Sequence, residues 1–345
     1  MSKRLACLFV LCAIILFCGC ERRPLVDYSN SVTLKVKVRT DNIPNVTPGT
    51  KYNEALPSPE IETSMFYVLF YDADTKQAVS QGFISDISID KGGNMIVSGS
   101  VRVKPGTYDI ICYNFDTRST MIKNERDWNS ITAYTSEIDE YLYSRFQSRA
   151  DGEAQNESSI YYEPDHLMVG RKYACIVKES VKSTEIEMEA NSIIDTYYIQ
   201  IGLVNGQYAA NATAVLSGLS KENLIGPNLR DEVPSEIFFE MQRGVDTRLR
   251  SVNQNILYAV FSTFGKIPEA DSELYVTFNV VTTRGDIQEK SFNMNDVFKT
   301  EDAVKRHWLI INDEFVIEPP INDGGGFKPT VDDWQSVSSE IEIKP

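Results

Sequence analysis

The chain has 345 residues, with 34 Lys and Arg against 49 Asp and Glu and a formal net charge of −15. That balance repels nucleic-acid phosphates and anionic lipid headgroups, so it excludes nucleic acid as a partner and polybasic attachment to a membrane. The length exceeds what one core usually serves and points to more than one domain.

The first element is a targeting segment. Lys3 and Arg4 form a basic n-region, and Leu5 to Phe17 is an unbroken apolar run. The run is too short to span a bilayer and has the length of a signal h-region. Phe17-Cys18-Gly19-Cys20 follows, then the charged Glu21-Arg22-Arg23. A small residue directly before a cysteine at this place resembles the lipobox of bacterial lipoproteins. The resemblance implies a signal peptide at 1–19, cleavage between Gly19 and Cys20, and acylation (such as palmitate) on Cys20. An ordinary secretory signal with an incidental cysteine is the alternative. Acyl chains contribute about 0.8 kcal/mol per buried methylene, so two or more would supply the anchoring that the acidic surface does not.

Four of the six cysteines lie within residues 1–20, which leaves Cys112 and Cys175. A disulfide framework is excluded. The two read as small buried hydrophobes, with a single Cys112–Cys175 bond as the alternative.

After a tether at 20–30, strands dominate. Val32, Leu34, Val36 and Val38 alternate with Thr33, Lys35, Lys37 and Arg39, the period of a half-buried strand. Pro44, Pro48, Pro57 and Pro59 break the next stretch into a loop. Met65 to Tyr71 is rich in aromatic and branched residues and reads as a central strand, closed by a turn at Asp72 to Lys76. Strands are expected at 78–85, 94–103 and 107–114, with Pro105-Gly106 as a hairpin signal between the last two. Ser136 and Asp139 make a capping-box pattern, and Ile138, Leu142 and Phe146 repeat at helical spacing, so a helix is expected at about 137–148.

A second strand-rich block starts near Glu185. Glu185, Glu187 and Glu189 alternate with Ile186 and Met188, and Tyr197, Ile199, Ile201 and Leu203 alternate again up to Asn205-Gly206, a hairpin signal. Segments at 235–243, 246–252, 255–264, 274–283 and 287–293 follow, with short strands at 308–311 and 315–317. Gly324 to Gly326 is a break, and Val337 to Lys344 alternates once more, with Ile341 and Ile343 on one face. Two blocks of about seven strands each thus meet near residue 183, giving domains at 31–182 and 183–345. Many short strands with regular turns indicate an all-β chain built of β-sandwiches.

Catalytic motifs are missing: there is no H-E-x-x-H, G-x-S-x-G, Walker A or G-x-G-x-x-G. The histidines are His166 and His307, and each reads as an ordinary polar residue. Acids cluster at Asp72/Asp74, at Glu185/Glu187/Glu189 and at Asp332/Asp333. The first fits a turn and the second a solvated strand face, and calcium-loop spacing is absent. Neither a cofactor nor a metal nor an enzymatic activity is expected. Trp128, Trp308 and Trp334 are spread along the chain; a surface glycan-binding lipoprotein would need aromatic side chains converging on an exposed face.

Several short stretches together resemble fimbrillin-associated anchor lipoproteins, in a less characterised branch. They are Cys20 to Leu25 after the lipobox, Val103 to Ile110, Ala214 to Ser220, Gly325-Gly326-Phe327, and Val331 to Trp334. The resemblance implies two tandem transthyretin-like β-sandwich domains with one or two short helices. It also implies a pilus anchor or accessory subunit at the cell outer membrane, with the cell surface favoured. Its partners would be other pilus subunits, joined by β-strand addition. Ile341 and Ile343 mark the segment that either docks a partner or closes the second domain as its last strand.

Overall fold

The computed structural model describes residues 31–40, 46, 64–139, 159–179, 183–246, 254–267 and 274–319. The first half contributes β1 (Ser31–Arg39), β2 (Phe66–Asp72), β3 (Ala78–Ile84), β4 (Asp86–Ile89) and β5 (Met95–Arg102). Then come β6 (Gly106–Asn114), β7 (Met121–Lys123), β8 (Thr132–Tyr134), β9 (Ile160–Tyr162) and β10 (Met168–Val177). Next are β11 (Thr184–Ser192), β12 (Asp195–Val204), β13 (Ala209–Ser220), β14 (Glu222–Leu224) and β15 (Leu229–Arg230). The last are β16 (Pro234–Asp246), β17 (Gln254–Thr263), β18 (Tyr275–Thr282), β19 (Ile287–Asn293) and β20 (Trp308–Val316). One short helix, α1 (Glu301–Arg306), precedes β20, and the Thr300 hydroxyl caps it by accepting from the Ala303 amide.

These strands form two large sheets and one small one. The first runs β3-β2-β6-β10-β11-β1-β5-β4. The second runs β19-β18-β13-β16-β17-β12-β20, and β9 pairs with β16 off that path. The small sheet is β15-β14-β8-β7. The chain is all-β, and its large sheets curl into barrel-like sandwiches. In the first sheet the curl brings β3 against β5. A Cβ on Gly82 would sit 2.9 Å from Val101 Cγ2, and one on Gly99 would sit 2.7 Å from Ile84 Cγ2. Only hydrogen in place of a side chain permits that approach. In the second sheet the end strands also meet, where Lys290 Nζ of β19 donates to Glu314 O of β20 at 2.9 Å.

The alternation of β1 is realised fully: Val32, Leu34, Val36 and Val38 are buried and the residues between them face outward. β2 is buried on both faces, which explains why its sequence is a continuous apolar run. Phe66, Val68 and Phe70 enter the core of the first sandwich. Tyr67, Leu69 and Tyr71 enter a separate cluster with Trp128, Ile131, Ile225 and Phe264. That second cluster draws on both halves of the chain and fills the joint between the large sheets.

Several expectations are corrected. β11, placed in the second block, lies in the first sheet between β1 and β10, and the change of sheet comes at Ile193–Ile194. Val32 to Arg39 pairs in parallel with Thr184 to Asn191, and that pairing fixes β11 where it is. Pro105-Gly106 is not a hairpin, because β5 and β6 lie apart in the sheet and the chain crosses between them. Asn205-Gly206 is not a hairpin either. Asn205 takes φ 58° and a single 3₁₀ turn over Gly206–Tyr208 sends the chain to β13, which is separated from β12 by β16 and β17. The capping-box residues start no helix at 136–139. That stretch is extended: Glu137 bridges to Tyr161, and the Ile138 amide donates to Ile160 O at 3.0 Å. Side-chain periodicity was outweighed by the open edge that β9 offers. The rest of that helical pattern, 140–148, lies outside the described residues, as do 247–253, the glycines at 324–326 and the segment 337–344. The short strands at 308–311 and 315–317 merge into β20, with a register shift opposite Ile201/Gly202.

Candidate functional site: an open sheet edge and the crevice beside it

Gly19, Cys20, Ile341 and Ile343 lie outside the described residues. The other singled-out residues have structural surroundings. Asp72 Oδ1 accepts the Asp74 and Thr75 amides, at 3.2 and 2.8 Å, and the Thr75 hydroxyl at 3.0 Å, which holds its carboxyl below the usual carboxylate range. Glu185 and Glu189 are exposed and meet Lys35 and Arg39 of β1 at 3.2 and 3.1 Å. Cys112 and Cys175 are both free and buried, and burial pushes the Cys112 thiol up to about 12. A thiol so shielded is no nucleophile. His307 caps α1 with φ 57°, places Nδ1 3.0 Å from Thr196 O and stacks on Tyr197. Trp128 is buried against Tyr71 and Tyr173. Trp308 is half-buried beside Arg306. The described tryptophans therefore form no exposed platform. Among the described residues no group of three His, Cys, Asp or Glu is placed to hold a metal, and no helix is long and apolar enough to cross a membrane.

Among the described residues, two exposed features stand out. The first is the edge of the first sheet. β4 is an end strand whose four residues are all exposed, with Ile87 at 48% and Ile89 at 65%. Among the described residues no strand pairs with its outer side. An edge of this kind presents a row of backbone donors and acceptors. At the opposite end of the sheet, Phe83 of β3 lies 4.8 Å from Tyr67 and 5.1 Å from Phe115, ring centre to ring centre. Phe83 and Phe115 are each 52% exposed. Together they make an apolar cluster that sequence spacing gave no reason to join, since its members come from three different segments.

The second feature is a crevice of about 1310 Å³ where the large sheets meet. Ile87 and Met95 of the first sheet line it, as do Tyr162, Glu163, Asp165, His166 and Ser262. Asp165 Oδ2 accepts the amides of Arg118 and Ser119 at 2.5 Å each and of Thr120 at 3.3 Å. Asn114 adds a bond to His166 O at 3.2 Å and accepts the Met168 amide at 2.7 Å. Glu163 reaches the other way and accepts the Ser262 amide of β17 at 3.0 Å. Burial lowers the His166 imidazole below its ordinary value, against the opposing pull of Asp165, and among the described residues its Nδ1 has no hydrogen-bond partner. Sequence reasoning passed over Glu163. The available signal was Glu163-Pro164-Asp165, two acids bracketing a proline in a short link between strands.

The fold defines an all-β protein of two curled sheets with Greek-key-like crossings and a small bridging sheet. A family model described as "Domain of unknown function (DUF5119)" matches residues 57–240, more than half of the sequence, and the chain belongs to that family. Over 309 residues it is 20% identical to the "Putative fimbrium anchoring subunit Fim4B" of Bacteroides ovatus, covering 87% of this chain and 81% of that one. The structure is similar to that of a "putative adhesin" from Bacteroides ovatus, with a TM-score of 0.55, 18% identity, and coverage of 88% of this chain and 98% of that chain. A weaker likeness, at a TM-score of 0.45 and 14% identity, is to the fimbrial anchor protein Mfa2 of Porphyromonas gingivalis, covering 83% of this chain and 90% of that one.

Proposed function

We propose that this chain is a structural, non-enzymatic subunit of a fimbrium, held at the cell outer membrane by a lipid on Cys20. The observation that carries the reading is the similarity to a fimbrium anchoring subunit along 87% of the chain. The open edge at β4 supports it, because an exposed edge can take another chain's strand by backbone hydrogen bonding. The segment holding Ile341 and Ile343 serves as the docking element, with its alternating side chains filling pockets on the partner. The surroundings of Asp72, of Glu185 and Glu189 and of His307 support a non-enzymatic role, since these are tied to a turn, to ion pairs and to a helix cap. We further propose that the chain works as two sandwich domains, with the second beginning at β12 and not at 183.

Co-purification from native outer membrane tests the reading. Detergent extraction followed by identification of bound chains is expected to return fimbrial subunits with the intact protein. Recovery of the chain alone, from membranes that carry assembled fimbriae, would sink it.

A further inference from the structure

The link between β9 and β10, residues 163–167, is tied to both large sheets. Toward the first sheet, the Asp165 carboxylate gathers the amides of residues 118–120, and Asn114 holds His166 O. Toward the second, β9 pairs in parallel with β16, and Glu163 reaches past it to the Ser262 amide of β17. Glu163 is thus a carboxyl set into the joint itself. Two acids face it: Asp165 from the same link and Glu240 from β16. Asp116, Arg118 and His166 line the same crevice, and the Asp165 carboxylate is turned toward its backbone donors at 118–120. A carboxyl withdrawn from water beside other carboxylates is hard to ionise.

We propose that Glu163 is a proton-controlled clasp between the two sheets. Carrying its proton, Glu163 holds the link against β17. Ionised, the carboxyl is drawn from its buried place toward the water of the crevice, and the link parts from β17. Burial is the largest effect on Glu163; the Ser262 amide opposes it, Asp165 and Glu240 add to it, and together they push the carboxyl up to about 7. In an opened link the carboxyl returns toward its ordinary value of 4.5. The sign follows. Below the ordinary value both forms carry the proton and the clasp is fully effective. As pH rises through the interval up to about 7, only the open form ionises readily, so the closed form loses ground. The clasp is independent of the fimbrial reading and stands or falls separately.

Hydrogen–deuterium exchange of the full chain from pH 5 to 8.5, corrected for the intrinsic chemical rate, tests it. Protection of amides in 159–168 and 260–264 is expected to fall on the order of ten- to a hundredfold between pH 5 and 8. Glu163→Gln keeps an acceptor for Ser262 and cannot ionise, so its protection is expected to stay flat across that range. A flat profile in the unaltered chain overturns the clasp, and so does a Glu163→Gln chain that still loses protection. Glu240→Gln, on an exposed position of β16, leaves the clasp in place and gives a second test should the first variant not fold. Its transition is expected to move to lower pH, and an unmoved midpoint overturns the proposal as well.

Discussion

Lys76 Nζ lies 2.5 Å from Asp109 Oδ2, and the other oxygen of that carboxylate accepts the Ala174 amide at 2.9 Å. Both Lys76 and Ala174 have positive φ, 60° and 50°, conformations that cost energy outside glycine. One carboxylate therefore fixes two strained points, the turn after β2 and the bulge in β10 between Lys172 and Cys175.

Asp109 is 2% exposed, so removing it leaves Lys76 and a backbone donor unmatched. Asp109→Ala is expected to lower unfolding stability by about 3 kcal/mol, and Asp109→Asn by less, because it keeps an acceptor for Ala174. Urea denaturation measures both. A loss below about 0.5 kcal/mol for the alanine variant would show that the carboxylate is not holding these turns.

Gly226 sits in the turn between β14 and β15, where an added Cβ would come 1.9 Å from Trp128 O. The small sheet places β14 of the second half beside β8 of the first, and Lys123 pairs with Glu222 across it. Gly226→Ala must therefore push the two halves apart. The expected loss is about 2–3 kcal/mol, with a thermal transition that broadens or splits as the halves uncouple. An unchanged single transition would refute the joint.

Lipid attachment is tested at Cys20. Cys20→Ala is expected to leave the precursor uncleaved or to release the chain from the membrane fraction. Mass spectrometry of the purified native protein, read at its amino terminus, decides the matter: an unmodified terminus ends the proposal.

Deletion of residues 337–345 separates the two roles open to the Ile341/Ile343 segment. If the segment docks a partner, the isolated chain keeps its thermal midpoint and fimbrial attachment is lost. If it completes the second sheet, the midpoint falls while assembly of surviving protein continues. The proposal expects the first result.

Much of the sheet content was legible because half-buried strands announce themselves. Thr33 to Arg39 and Glu185 to Glu189 alternate so cleanly that their outward faces follow from period two; the ion pairs between them do not, because they depend on the two strands being neighbours. What was not legible was adjacency. Nothing local in Thr184 to Ser192 says that it pairs with a strand about 150 residues earlier. Asn205-Gly206 likewise carries the same residues whether the next strand lies alongside or across the sandwich. Turn chemistry fixes backbone angles, and sheet order fixes where the chain goes. The Phe83–Phe115–Tyr67 cluster and the Glu163 contact were hidden for the same reason, since each is assembled from segments joined only by topology.

The placing of β1 has a mechanical consequence. It runs parallel to β11 on one side and antiparallel to β5 on the other. A pull on the chain before Ser31 enters β1 at its first residue. The load passes across the ladder to β11 and leaves at Ser192, at the far end, where the chain continues into the second sheet. The two strands are therefore drawn past each other lengthwise, and the hydrogen bonds between them share the load together instead of opening one after another. Resistance to tension is then set by the height of the unfolding barrier and not by equilibrium stability. A strand so placed suits a protein that is tugged from its amino-terminal end.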